Sequence, residues 1–320
     1  MKKLFTFVAL MTIAINAQSQ TLTATLQQGD VITPFYGATA FKEAYEAASS
    51  GAIITLSAGQ FDSRDIEKSI TVYGSGAYGD DDQITYVPNI RVTTGNVRIE
   101  GIRIQDYFDS YGDETNNLVI RHCYINRMSF SYNPTNTMID QCNIDQANCG
   151  GTGSIYKNCT MRYLNGNNNA LKPVTFINST VFHGYYGSHL NNNIFRNCVI
   201  GIEDDSKKLE SPGQYYSNIF FRSAPEEGVK VDYVMTITYA DGCVHSDNTV
   251  DTFNNLFQGK TDLSLFPNTN KKGDDNTKVG PEGGSGYKLY PAIPRIISKS
   301  IDRQTDAQGK INVNIQVKAQ

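Results

Sequence analysis

The chain has 320 residues, 39% apolar and 19% charged, which permits a large packed core and excludes disorder throughout. Its net charge of −4, from 28 basic and 32 acidic residues, leaves no broad basic field for nucleic acid or anionic lipid. Nineteen Tyr, no Trp and 27 Gly suit half-exposed strands joined by tight turns.

At the N-terminus, Lys2 and Lys3 precede an apolar run from Leu4 to Ile15, broken only by Thr6 and Thr12. The small residues Ala17 and Ser19 follow. This pattern predicts a cleaved signal peptide over 1–19, and hence a secreted or periplasmic protein. The run is too short for a membrane span, and no Cys is present there to carry a lipid. Next, Phe41, Ala44, Tyr45 and Ala48 recur at helical spacing and Gly51 interrupts them, which predicts a short amphipathic capping helix over 38–50. The segments 52–61 and 69–76 read as the strands of a first coil.

The middle of the chain repeats itself. The segments 96–104, 118–125, 137–144, 154–161, 174–181 and 193–200 each run from an apolar residue, through polar ones, to a small residue and a final apolar one. Those final positions are Ile104, Ile125, Ile144, Met161, Val181 and Ile200, with spacings of 21, 19, 17, 20 and 19. A period of about 19 is too short for repeats of helix pairs, and the Leu pattern of leucine-rich repeats is absent. Val, Ile, Thr, Phe and Tyr alternating with polar residues predict an all-β fold: a single-stranded, right-handed parallel β-helix whose coils stack at about 4.8 Å.

Asn158, Asn178 and Asn197 share one repeat position, where a sharp bend needs a left-handed residue, and their side chains are expected to bond one another along the solenoid. His122 and Gln141 take that place in earlier coils. The triplets at Asn158 and Asn178 match a glycosylation signal, but their place in the bend argues against that use. Cys123, Cys142, Cys159 and Cys198, with Ser179 among them, fall at the next position, so an internal stack of thiols is expected rather than a metal site. Cys149 and Cys243 lie off that stack, and a disulfide between them is left open.

A helix, Gly51, the run Ile54-x-Leu56-x-x-Gly59-x-Phe61 and then Ser69-Ile-Thr-Val-x-Gly74 resemble the opening of pectin-lyase-like β-helix proteins. The likeness covers most of 37–260. YPAIPRI (290–296), followed by 306–320, resembles the end of a group of uncharacterised secreted β-helix proteins. The resemblance implies carbohydrate-active relatives, chiefly polysaccharide lyases and pectin hydrolases, without transmitting their activity. It divides the mature chain into a β-helix with its N-terminal cap over 20–270 and a C-terminal capping tail over 271–320. Beyond 215 the repeat blurs: 252–257 still reads as a coil, 229–242 as a strand pair or a long-looped coil, and 288–297 with 310–317 as closure of the far end.

Loops after the inward strands are expected to align on one side. They bring Tyr107, Phe108, Tyr111, Phe130, Tyr132, Tyr163, Tyr185 and Tyr186 into an aromatic ribbon suited to a polysaccharide. Uronate lyase chemistry needs a cation on the carboxylate, a base and a proton donor. Relatives use Ca²⁺ held by acidic residues, with Arg or Lys as base. The candidates here are Asp204 and Asp205 for Ca²⁺, Arg162, Lys207 or Lys208 as base, and His183 or His189 for proton transfer. Asp109, Asp113 and Glu114 offer carboxylates for a hydrolase, and 80–82 is an acidic run. No established catalytic motif is present. Two readings follow: an exported carbohydrate-binding or structural protein, and a polysaccharide lyase or glycosidase.

Overall fold

The computed structural model describes residues 22–79, 83–132, 134–166, 173–184, 193–203, 208–209, 212–223, 233–257, 266–288, 295–301, 308, 310 and 313–318. The leader, 1–19, and the acidic run 80–82 lie outside the described residues. Among the described residues, no helix is long and apolar enough to cross a membrane.

The N-terminal end is closed before the coils begin. Thr23–Gln28 pairs antiparallel with Val31–Tyr36 on one side and with Ile53–Leu56 on the other. The outer strand Val31–Tyr36 carries Pro34, which suits an edge that must not recruit another strand. The helix spans Ala40–Ala47 and buries Ala40, Phe41, Ala44 and Tyr45. Phe41 meets Phe61 of the first coil edge to face at 6.3 Å. Gly51 follows at φ +88°, a conformation costly for any residue with a Cβ.

Two parallel sheets then run the length of the solenoid, one from Ile53–Leu56 to Val244–Ser246 and the other from Gly59–Gln60 to Thr249–Val250. The predicted column is present: Ile104 pairs with Ile125, then Ile144, Met161, Val181 and Ile200 in turn, extended by Val87 before and Phe220 after. From Ile104 to Phe220 these side chains are at most 1% exposed. On the facing sheet, Ile99, Ile120 and Ile139 give way to Tyr156, Phe176, Phe195 and Tyr215. These four rings stack at centroid distances of 5.1, 4.6 and 5.7 Å and fill the interior opposite Met161, Val181, Ile200 and Phe220.

Each coil turns between the sheets through one left-handed residue: Gly101, His122, Gln141, Asn158, Asn178, Asn197, Ser217 and Asp247. Cys123, Cys142, Cys159, Ser179 and Cys198 follow these residues and are fully buried. All six cysteines are free, so Cys149 and Cys243 are not bridged. Burial pushes the Cys198 thiol up to about 12, as expected of thiols that act as small apolar fillers.

The Asn ladder lies at a different corner from the one expected. Asn158, Asn178 and Asn197 turn outward and hold a later part of the chain. Asn158 Nδ2 donates to the carbonyls of Pro281 and Gly283 at 2.8 and 2.6 Å, and Ser285 Oγ donates to Asn158 Oδ1 at 3.0 Å. Asn197 exchanges hydrogen bonds with Asp274, at 2.9 and 3.1 Å. Lys271 reaches Asp247, and the Lys288 amide donates to Gln141 Oε1 at 2.7 Å. Residues 266–288 thus form a strap over the bend. It approaches so closely that a Cβ on Gly273 would collide with the Asn197 side chain. A side-chain ladder does exist at the opposite corner, where Asn136 donates to Asn117 and Asn117 to Asn96, all three left-handed. Asn158 and Asn178 are 0% and 1% exposed, which closes them to a glycosyl donor in the folded protein.

Two other expectations change, and one open alternative is decided. Residues 252–257 do not form a coil; Phe253–Phe257 is a helical turn. Thr252 Oγ1 accepts from the Asn255 amide as a cap, and Leu256 and Phe257 pack on Val199, Ile219 and Phe221 from outside the second sheet. Within 233–242, one parallel bridge joins Tyr239 to Leu209, so this stretch is a looped coil. Phe108 and Phe130 are 0% and 1% exposed and belong to the core, not to a ribbon.

One buried polar cluster sets an acid limit on stability. Burial alone would raise the Glu100 carboxyl. The hydrogen bonds from His122 and Arg98, with the Arg98 charge, outweigh it and bring Glu100 down to about 2. A carboxylate held below its unfolded value stabilises the fold above that value, near 4.5, and the contribution is lost as pH falls towards 2. Melting temperatures between pH 5 and pH 2 are expected to fall less steeply in Glu100→Gln than in the wild type. Equal slopes would show that Glu100 does not carry the effect.

Candidate functional site

The outer face of the second sheet carries the polar and aromatic side chains. Asn89, Tyr107, Arg127, Gln146, Tyr163 and His183 occupy one register position on successive coils. The residues that follow it on each strand, Met128, Ala147 and Leu164 among them, are buried in the core, so the pleat turns this column outward. Irregular register just before the column, between Ile125 and Arg127, gives it its present phase. Arg127 lies over the Tyr107 ring at 5.9 Å, and the Tyr163 and His183 rings stack at 4.8 Å and 12°.

Arg162 lies beside this column and pairs with Asp145 at 3.2 Å. His183 Nδ1 comes within 3.4 Å of Glu203 Oε1, without hydrogen-bond geometry. Burial, aided by the positive charge of Arg162, lowers His183 to about 4. Burial raises Glu203, against the opposing charge of Arg222. At neutral pH the imidazole is therefore uncharged, and it lies beside a carboxyl whose charged form is disfavoured by burial. Gly201 permits this arrangement: a Cβ there would strike the carbonyl oxygen of Phe182, immediately before His183.

The sequence-derived candidates separate into groups. Tyr107, Tyr163, Arg162 and His183 share the outer face of the second sheet. Tyr111 and Tyr132 form their own edge-to-face pair at 4.9 Å past the strand ends, 47% and 39% exposed, with Arg91 over Tyr111 at 5.5 Å. Lys208 is exposed. Tyr185, Tyr186, His189, Asp204, Asp205 and Lys207 lie outside the described residues. Among the described residues, no three His, Cys, Asp or Glu side chains converge to hold a metal ion. Asp109, raised above as a hydrolase carboxylate, is buried and accepts a hydrogen bond from Ser131 at 2.8 Å. Sequence reasoning missed Arg127, Gln146 and Glu203. The spacing that aligned the Ile column also aligns Arg127 and Gln146, each two residues after its Ile, so that signal was present. Glu203 lacked one, because only the bend after Ile202 brings it to His183.

No protein-family model, curated protein or solved structure matches the chain.

Proposed function

We propose that this chain is an exported β-helix protein that binds a carbohydrate chain along the outer column Tyr107, Arg127, Gln146 and Tyr163. The observation that carries the reading is the register: four accessible side chains with ring faces, an amide and a cation repeat at coil spacing, and the buried His183 ring backs Tyr163. A flat row with a regular step suits an extended polymer better than a compact ligand. Rings stack on the C–H faces of pyranosides, and Arg127 and Gln146 supply hydrogen bonds to hydroxyls or carboxylates. The basic and apolar leader supports export, and the parallel β-solenoid is consistent with proteins that bind or act on polysaccharides.

The test is electrophoresis through native gels with and without embedded polysaccharides, neutral and uronate-containing. Retardation is expected in at least one glycan, with the apparent Kd about tenfold weaker in Tyr163→Ala, equivalent to about 1.4 kcal/mol. Retardation unaffected by Tyr163→Ala and Arg127→Ala would place binding elsewhere.

A second reading, a polysaccharide lyase or glycosidase, draws on one specific observation: the opposed shifts of His183 and Glu203 at 3.4 Å. A neutral imidazole can accept a proton, and burial shifts Glu203 in the direction that suits a proton donor. Arg162, His189, Lys207 and Lys208, with Asp204 and Asp205 as Ca²⁺ ligands, belong to this reading. New reducing ends or unsaturated-product absorbance, with and without Ca²⁺ and lost in His183→Ala, would favour it over binding alone.

A further inference from the structure

A second outward row runs beside the column already described. Tyr86, Arg103, Tyr124 and Asn143 share one register position of the second sheet on four consecutive coils. The residues that follow them, Val87, Ile104, Ile125 and Ile144, are fully buried, so the pleat turns this row outward as well. Tyr124 precedes Arg127 by three residues on one strand, which sets the two rows about 10 Å apart.

Arg103 stands among three rings. Its guanidinium carbon lies 5.1 Å from the Tyr124 centroid, 5.6 Å from Tyr86 and 5.9 Å from Tyr78. Tyr86 and Tyr124 come from the coils on either side, and Tyr78 from the chain before the strand Thr85–Val92. Tyr78 meets Tyr124 edge to face at 6.4 Å, and Tyr287 Oη, near the end of the strap, donates to Tyr78 Oη at 3.2 Å. Non-repeating chain therefore braces the cage. Arg103 Nε donates to the Ala77 carbonyl at 3.0 Å, which fixes the plane of the guanidinium.

The charge in this cage has no answer. Among the described residues, Arg103 makes no ion pair, and the bond to Ala77 is its one hydrogen bond. By contrast Arg91, Arg98, Arg121, Arg162 and Arg196 each face a carboxylate. Asp145, whose charge reaches Tyr124, is paired with Arg162. Burial raises the Tyr78 and Tyr124 hydroxyls, so these rings supply neutral faces and no counter-charge. Arg103 is half-buried, so its cation lacks both full solvation and a partner. A guanidinium held in one plane, with both Nη groups unpaired, offers a fork for two oxygens of a single anion.

We propose that Arg103, in its cage of Tyr78, Tyr86 and Tyr124, is an oxyanion-binding site that receives a carboxylate or sulfate ester carried by the bound polymer. The source of the anion rests on the carbohydrate reading above; the cage itself does not. The rings and the Ala77 carbonyl hold the side chain in place before binding, so little rotamer freedom is lost when the anion arrives.

Two measurements test the site and its source separately. In the first, the Arg103 Nε–Hε resonance of the full chain, assigned through its contacts with the Tyr78 and Tyr124 rings, is followed during titration with sodium sulfate and with sodium acetate at constant ionic strength. A saturable shift is expected with at least one anion. A shift that is absent or never saturates with either would overturn the site. In the second, native gels contain dextran, dextran sulfate or polygalacturonate. Affinity for one of the two anionic polymers is expected to fall about tenfold in Arg103→Gln, with no change on dextran. Lys42→Gln, which removes an exposed charge from the capping helix, should leave every gel unchanged. A selective loss on polygalacturonate identifies a carboxylate, and one on dextran sulfate a sulfate ester. An equal loss in Lys42→Gln would overturn the proposal in favour of unspecific charge attraction. No retardation in any gel, alongside a saturable shift, would sink the carbohydrate source and leave the anion site standing. Dichroism verifies that Arg103→Gln folds; if it does not, the titration of the wild type decides.

Discussion

Phe195→Ala is expected to destabilise the protein by about 3–5 kcal/mol, the range for removing a fully buried aromatic ring. Phe195 is 0% exposed and lies between Phe176 at 4.6 Å and Tyr215 at 5.7 Å, nearly parallel to both. The cavity cannot collapse easily. Its neighbours along the axis are held one coil apart by the strand hydrogen bonds, so they cannot slide into the gap. In a solenoid each coil contacts mainly its neighbours, so the loss is local. Urea titration followed by dichroism measures the total, and exchange of amides in 175–177 and 214–216 should show the effect concentrated there. Phe195→Leu, which keeps most of the volume, should retain most of the stability. A loss below about 1 kcal/mol in Phe195→Ala would mean that the stack is not the packed column described.

Asn158→Ala is expected to cost about 3 kcal/mol and to release the strap. Two contributions combine. Asn158 adopts φ +50°, where a residue with an ordinary Cβ is disfavoured by about 1–2 kcal/mol. Its amide also satisfies the Pro281 and Gly283 carbonyls and accepts from Ser285, and these three bonds, at about 0.5 kcal/mol net each, contribute about 1.5 kcal/mol. Asn158→Gly separates the two, since glycine tolerates the backbone conformation but makes no side-chain bonds. It should lose about 2 kcal/mol or less. Trypsin cleavage at Lys272 and Lys278, both exposed on the strap, should accelerate in both variants. Unchanged cleavage would show that the strap does not depend on Asn158.

Much of this architecture was legible because a solenoid converts local repetition into tertiary contact. When one lap takes about 19 residues, any two positions one lap apart become neighbours, so the Ile and Cys columns could be read directly from spacing. The capping helix was legible for a similar reason: Phe41, Ala44 and Tyr45 bury one face whatever lies beneath them.

The site was only half legible. Spacing placed Tyr107 and Tyr163 on one line, but Phe108 and Phe130 were wrongly assigned to it. A strand shows alternate residues to opposite sides, and irregular register near Ile125 sets which parity faces out. The turn at Phe253 was missed because five residues with a Thr cap carry too little helical signal against a strand-rich background.

What the sequence alone determined about this protein is its lap length, its interior columns and the left-handed bend, all properties of residues one lap apart. What only the tertiary structure decided is where non-repeating chain returns: the strap on Asn158 and Asn197, Glu203 beside His183, and the outward turn of those Asn side chains. Such contacts join residues separated by lengths that no period encodes, so their partners are chosen by geometry rather than by pattern.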